Sequence, residues 1–89
     1  MVTLVKMPRL GLTMTEGLVI SWHKKVNDYV KKGEALVEIE SDKFTETIES
    51  PEDGYLISIL ASAGETVECQ TVIAVIGEKG EIYEDEQAG

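Results

Sequence analysis

The chain has 89 residues, a formal net charge of −9 at pH 7 and 43% hydrophobic residues. This length fits one small domain, and the acidic excess argues against binding to nucleic acid or to anionic membranes. A single cysteine excludes an internal disulfide, and with only one histidine beside it the usual zinc sites are excluded too, so no metal site is predicted.

No apolar run approaches the ~20 residues of a membrane span, and the first residues do not resemble a signal peptide. We therefore expect no membrane association. The expected compartment is the cytoplasm of a bacterium or archaeon, with the mitochondrial matrix as the alternative.

Short alternating runs separated by Gly, Pro, Asn and Asp predict strands and no helix longer than about ten residues. In chain order the predicted strands are Thr3–Met7, Leu18–Trp22, Leu36–Glu40, Thr45–Glu49, Tyr55–Leu60 and Val72–Ile76, with brief extended pieces near Val30 and Val67. The compact domain is expected to span residues 1–77. Residues 78–89 are expected to form an acidic flexible tail or the start of an interdomain linker.

The sequence resembles itself when it is shifted by 37 residues without a gap. The shift aligns Gly17, Ile20, Ser21, Val30 and Ile39 with Gly54, Ile57, Ser58, Val67 and Ile76. It also aligns Asn27 with Gly64, and both residue types tolerate left-handed backbone. Because each half alone has too little core to be stable, the repeat predicts two similar sheets packed face to face.

The segment from Leu36 to Glu49 predicts a hairpin with Asp42 and Lys43 at the centre of its turn. Alternation then predicts an inner face with Val37, Ile39, Phe44 and Ile48, and an outer face with Glu38, Glu40, Thr45, Thr47 and Glu49.

Lys43 is the only basic residue among eight acids between Glu34 and Asp53, and we expect it to be exposed at a protruding tip. A lysine that acts in catalysis as a Schiff-base nucleophile needs burial or neighbouring cations, which this segment does not offer. Lys43 is therefore better suited to be acylated by another enzyme. The alternative interpretation at this stage is an ordinary solvated turn lysine.

Four segments in this order resemble the biotinyl/lipoyl domain family: Met7–Gly17, Trp22–Glu34, Glu40–Phe44 and Ser50–Tyr55. The resemblance covers residue 3 to about residue 77 and points to the lipoyl domains of dihydrolipoamide acyltransferases in 2-oxo acid and acetoin dehydrogenase complexes. It implies an all-β fold, a flattened barrel of two four-stranded antiparallel sheets related by a quasi-two-fold axis.

The resemblance also implies that Lys43 carries lipoic acid in amide linkage, and that Glu40 and Asp42 help a lipoate-attaching enzyme to recognise the tip. A loop near the tip is implied to help the partner dehydrogenase choose its substrate, and it comprises Leu10, Gly11, Leu12, Thr13, Met14, Thr15 and Glu16. Lipoyl domains more often have Ala where Phe44 stands, and biotin-carrying relatives have Met on both sides of the lysine. A biotin carrier and an unmodified β-sandwich adaptor are the alternatives.

The implied function is that of a substrate carrier with no active site of its own. In such complexes a thiamine diphosphate-dependent dehydrogenase reductively acylates the lipoyl arm. An acyltransferase core then passes the acyl group to coenzyme A, and the flavoprotein dihydrolipoamide dehydrogenase reoxidises the arm. The isolated domain is expected to be monomeric. The run Gly11–Gly17 favours an acetoin or pyruvate complex over branched-chain or 2-oxoglutarate complexes.

Overall fold

A computed structural model describes residues 1–83, which form eight strands. They are β1 (Thr3–Lys6), β2 (Glu16–Trp22), β3 (Tyr29–Val30), β4 (Ala35–Glu40), β5 (Thr45–Glu49), β6 (Gly54–Ile59), β7 (Thr66–Glu68) and β8 (Val72–Gly77). All pairings are antiparallel and make two four-stranded sheets, ordered β1-β8-β6-β3 and β5-β4-β2-β7. The predicted all-β architecture is confirmed. Residues 1–83 contain no helix that is long and apolar enough to span a membrane.

The core lies between the two sheets, and the domain is flattened, with principal extents of 37 × 31 × 21 Å. Its fully buried side chains come from both sheets and include Val19, Leu36, Ile39, Leu56, Ile73 and Ile76. Burial of each such side chain stabilises the fold by about 1.5–3 kcal/mol. Leu36 and Val37 are both buried although they are neighbours, because the pairing of β4 with β5 shifts register between Ala35 and Val37.

The sequence repeat is reproduced in the topology, because a shift of 37 residues carries β2, β3 and β4 onto β6, β7 and β8. The central pair β4-β2 of one sheet thus corresponds to β8-β6 of the other, and β3 and β7 occupy equivalent edges. The remaining edge strands, β5 and β1, occupy equivalent places in the two sheet orders without matching in sequence. Register irregularities occur at the equivalent residues Ile20 in β2 and Ile57 in β6. The predicted quasi-two-fold symmetry is therefore confirmed.

The symmetry places the β4–β5 hairpin at the opposite end of the domain from the chain's first residue. The counterpart of this hairpin is the pair β8 and β1, which no tight turn connects. There the Met1 amino group lies 3.1 Å from Glu81 Oε2. The predicted division of the chain at residue 77 stays a prediction, and residues 84–89 of the predicted tail lie outside the described residues.

Candidate functional site

The hairpin tip consists of two residues held by paired strands. β4 and β5 pair as far as Glu40 and Thr45, and the Ser41 N–H donates a 2.7 Å hydrogen bond to the Phe44 carbonyl. Asp42 and Lys43 lie beyond this bond, and both are exposed. In the described range the non-glycine residues with positive φ are Asn27 and Gln70, so this turn is not of the mirror-image type that two-residue hairpins favour.

The two faces of the hairpin follow the predicted alternation, with one correction. Val37 lies opposite Ile48 on the inner face, and Glu38 lies opposite Thr47 on the outer face. Phe44 lies on the same side as Ile48, as predicted, but the residue is 45% exposed instead of buried. The reason is that the hairpin extends past the core, whose last buried residue on β4 is Ile39.

The loop Leu10–Glu16 lies beside the tip and encloses a cavity of about 300 Å³ with it. The cavity is lined by Gly11, Thr13, Met14, Thr15 and Glu16 from the loop and by Ser41, Asp42, Lys43 and Phe44 from the hairpin. Leu10 packs against the core instead, and Leu12 projects into solvent with 96% of its surface exposed. The structure thus brings five of the seven predicted loop residues to one groove with Lys43.

Backbone and sulfur contacts fix the position of this loop. The Met14 N–H donates to the Gly11 carbonyl at 3.2 Å, and the Leu10 N–H lies 3.2 Å from Met14 Sδ. The Cys69 N–H donates to the Thr15 carbonyl at 2.9 Å, and the Cys69 thiol packs against the core.

The loop also rests on a pair of methionines that sequence reasoning did not connect. Met7 and Met14 are both buried and meet above Gly17, where an added Cβ would lie 2.6 Å from Met7 Sδ. Their spacing shows no periodicity. The one feature of the sequence that could have indicated a close approach at this point is that the repeat aligns Gly17 with another glycine.

The surroundings of Lys43 are acidic. A second cavity of about 380 Å³ flanks the tip and includes Glu16, Glu40 and Asp42. Glu16 also lies directly opposite Glu68 in the pairing of β2 with β7. Among residues 1–83 the ion pairs are Met1–Glu81 and Lys24–Glu34, and His23 Nε2 lies 4.0 Å from Glu38 Oε2, so no ion pair in the described part of the chain includes Lys43.

This arrangement offers one exposed primary amine on a flexible stem, with carboxylates around it. Within the described residues no group of three or more His, Cys, Asp or Glu side chains is arranged to hold a metal ion. The tip is suited to present the Lys43 amine to an enzyme that brings an activated carboxyl group.

Comparison with known proteins agrees with this geometry. The sequence profile of the family Biotin_lipoyl, described as biotin-requiring enzyme, matches residues 3–76. The chain is 49% identical over 83% of its length to the dihydrolipoyllysine-residue succinyltransferase component of the 2-oxoglutarate dehydrogenase complex of Staphylococcus saprophyticus. It is 45% identical over 92% of its length to the dihydrolipoyllysine-residue acetyltransferase component of the acetoin cleaving system of Bacillus subtilis.

These matches cover 18% and 21% of the two relatives, so the chain spans about one fifth of their length. Among solved structures, the lipoyl domain of the 2-oxoglutarate dehydrogenase complex from Azotobacter vinelandii superposes with a TM-score of 0.72 at 30% identity, covering 85% of this chain and 98% of that one. The chain therefore belongs to the biotinyl/lipoyl domain family, and within that family it is a lipoyl domain.

Proposed function

We propose that Lys43 carries lipoic acid in amide linkage, and that the domain is the acyl carrier of a 2-oxo acid or acetoin dehydrogenase complex. The observation that carries this proposal is the position of Lys43, which is exposed at the apex of a two-residue turn in a lipoyl domain. The names of its relatives, which describe them as dihydrolipoyllysine components, support the choice of cofactor.

The residues of the tip fit this cofactor. Lys43 is exposed, and a cavity of about 300 Å³ adjoins it, so the amine is accessible and the turn has room for a larger side chain. When attached, the lipoyl group supplies a dithiolane whose sulfurs can accept an acyl group and release it to another acceptor.

The protein's own contribution is to hold the attachment point at the end of a rigid element. Paired strands support the tip up to Glu40 and Thr45, so Lys43 projects from a fixed base. A tethered group visits nearby active sites at an effective concentration in the millimolar range for short flexible links. Because Lys43 lies at the opposite end from Met1, attachment to a longer polypeptide would leave the tip unobstructed.

The neighbouring residues divide between two partners. Glu40 and Asp42 present carboxylates beside the amine, which we assign to recognition by the lipoate-attaching enzyme. That enzyme must supply a carboxyl group activated by a leaving group. When Nζ attacks and the amide bond forms, the bond to the leaving group breaks, and the enzyme takes up the leaving group and the protons that Nζ loses. The loop Leu10–Glu16, beside the tip, is assigned to recognition by the thiamine diphosphate-dependent dehydrogenase. An acyltransferase core and dihydrolipoamide dehydrogenase complete the proposed set of partners.

The proposal is tested by incubating the domain with a lipoate ligase, lipoic acid and ATP, followed by intact mass and peptide mapping. We expect one lipoyl increment on Lys43, none on Lys43→Arg, and full modification of Lys79→Arg, a matched control at another exposed turn. A modification by biotin ligase only would assign a biotin carrier. If neither enzyme modifies the folded domain, the remaining interpretation is an unmodified β-sandwich adaptor.

The complex is identified in a second assay, because relatives from three kinds of complex are similarly close, at 45–49% identity. The lipoylated domain is offered to pyruvate, 2-oxoglutarate and acetoin dehydrogenases with their substrates, and acylation is followed by mass. We expect faster acylation with the acetoin or pyruvate enzyme, as the run Gly11–Gly17 predicts.

A further inference from the structure

We propose that the lipoyl group on Lys43 folds back into the groove between the hairpin tip and the loop, where it packs against Phe44. The inference rests on the proposed function, since it requires lipoylation of Lys43. It adds a binding site on the domain for its own cofactor.

The groove is open to the attachment point. Lys43 is itself one of the lining residues of the cavity of about 300 Å³, so a group attached to its side chain begins beside the groove. An intramolecular ligand of this kind is present at a millimolar effective concentration, and weak contacts are then enough to populate the docked state.

The lining suits an amphipathic chain. Phe44, Met14 and Gly11 supply an apolar side, whereas Thr13, Thr15 and Ser41 supply hydroxyl groups. The carboxylates that also line the groove belong to Glu16 and Asp42, so the apolar part of the arm is expected on the Phe44 side. The hydroxyl groups can pair with the amide at the base of the arm. Sulfur atoms make favourable contacts with aromatic rings, as methionine does in proteins, and the dithiolane sulfurs can make such contacts with the ring of Phe44.

Phe44 forms one side of this groove. Its ring is held against the loop, since a Cβ placed on Gly11 would lie 3.4 Å from Phe44 Cε2. Phe44 nevertheless keeps 45% of its surface exposed. An aromatic ring fixed on one side and open on the other, directly beside the attachment lysine, is a surface that the arm can cover.

Docking of the arm has a consequence for partners. Gly11, Thr13, Met14, Thr15 and Glu16 belong to both the groove and the loop assigned to dehydrogenase recognition. A partner that engages this loop would compete with the docked arm and release it. Docking of the arm would then lower the affinity of the partner for the loop, and partner binding would weaken docking of the arm by the same factor.

The test uses amide and side-chain NMR of the domain after mass spectrometry has shown lipoylation of Lys43. Failure at the mass step contradicts the proposed function, whereas the NMR step addresses the groove alone. A domain with acetyllysine at position 43 is the reference, because it has lost the same charge but lacks the long chain.

We expect shift changes in the lipoyl form, relative to the acetyl form, at Gly11 and Thr13–Glu16, with NOEs from the arm to the Phe44 ring. Phe44→Ala should abolish the shift changes at the loop. Gly11→Leu, which fills the groove, should abolish both the shift changes and the NOEs to the Phe44 ring. Val26→Ala, at an exposed apolar side chain outside the groove, should preserve them. Changes confined to Asp42, Lys43 and Phe44, with no NOE to the ring, would overturn the inference.

A second readout is the rate at which a small phosphine reduces the dithiolane. A docked fraction of about one half would make reduction about twofold slower in the native sequence than in Phe44→Ala. Equal rates in the two proteins would count against docking, because both have the same tip and the same attachment lysine.

Discussion

Asn27 and Gly64 lie 37 residues apart and occupy equivalent positions in the two halves of the domain. Both have positive φ, at 79° and 94°. The Asn27 N–H donates to the Leu56 carbonyl, and the Gly64 N–H donates to the Val19 carbonyl, each at 2.7 Å. Val19 and Leu56 are themselves equivalent, so each half of the chain closes its turn on the other half.

This relationship predicts a specific order of stability at position 27. Asn27→Gly should be close to neutral, because glycine adopts positive φ without strain and the N–H bond to Leu56 is kept. Asn27→Ala should lower the free energy of unfolding by about 1–2 kcal/mol, since a Cβ without a compensating polar group is strained in this conformation. Urea unfolding of the three proteins measures the order, and equal destabilisation by Gly and Ala would contradict it.

Much of this fold was predictable from the sequence, because the apolar positions and the turn residues recur at a distance of 37 residues. All six predicted strands and both short pieces are present, with bounds that differ by two residues at most. Position 33 shows what the pattern could not reveal. Gly33 has a φ of 92°, and its equivalent Gln70 has a φ of 75°, although Gln gives no turn signal.

Features at the tip were harder to predict, because they depend on how far an element extends beyond the core. Alternation correctly assigned Phe44 to the same side as Ile48, but strand period alone carries no information about where the opposing sheet ends. The groove beside Lys43 likewise depends on the fold of the loop, which is set by Met14 and Cys69 rather than by a local motif. Alternation therefore predicted the tip, whereas the place of the loop beside it was predicted only by the family resemblance.

The equivalent glycines Gly17 and Gly54 should respond differently to alanine. A Cβ on Gly54 would lie 2.9 Å from the Gly77 carbonyl oxygen, a backbone atom that cannot move without disturbing β8. At Gly17 it would lie 2.6 Å from Met7 Sδ, in a flexible side chain. We expect Gly54→Ala to cost about 1–3 kcal/mol in free energy of unfolding and Gly17→Ala less.

A double-mutant cycle tests the cause of this difference. Shortening Met7 to Ala should cost less in the Gly17→Ala background than in the native background, because the two changes compensate each other in space. The same Met7→Ala change should be additive with Gly54→Ala. Additivity in both cycles would show that the methionine contact does not determine the cost at Gly17.

The contacts of Glu34 predict that the stability of the domain decreases at acid pH. The Lys31 N–H donates to Glu34 Oε1 at 2.7 Å, and Lys24 Nζ lies 3.1 Å from Oε2. These contacts lower the pKa of Glu34 below its ordinary value of 4.5, the backbone hydrogen bond being the larger cause. Because the folded-state pKa is lowered, the stabilisation is present above pH 4.5 and is lost as the pH falls through the folded-state value.

Glu34→Gln should therefore be less stable than the native sequence at neutral pH, and the two proteins should converge as the pH falls below the folded-state pKa of Glu34. Urea unfolding at a series of pH values gives both curves. Glu49→Gln, at an exposed carboxylate of β5, serves as the matched control. A Glu34→Gln deficit that stays constant down to the lowest pH would assign the effect to packing instead of charge.

Glu40 and Asp42 should influence modification of Lys43 without influencing the fold. Both carboxylates are exposed beside the tip, and exposed charges of this kind contribute little to stability. If the ligase recognises them, Glu40→Gln and Asp42→Asn should each slow lipoylation by about tenfold, the effect of losing one charge-assisted hydrogen bond of about 1.4 kcal/mol.

Glu46→Gln is the control, because it removes the same charge from the same hairpin farther from the tip. Initial rates by mass spectrometry, with thermal unfolding of each variant, separate recognition from folding. Equal slowing by all three substitutions would indicate a response to net charge, and no slowing would remove both carboxylates from the recognition site.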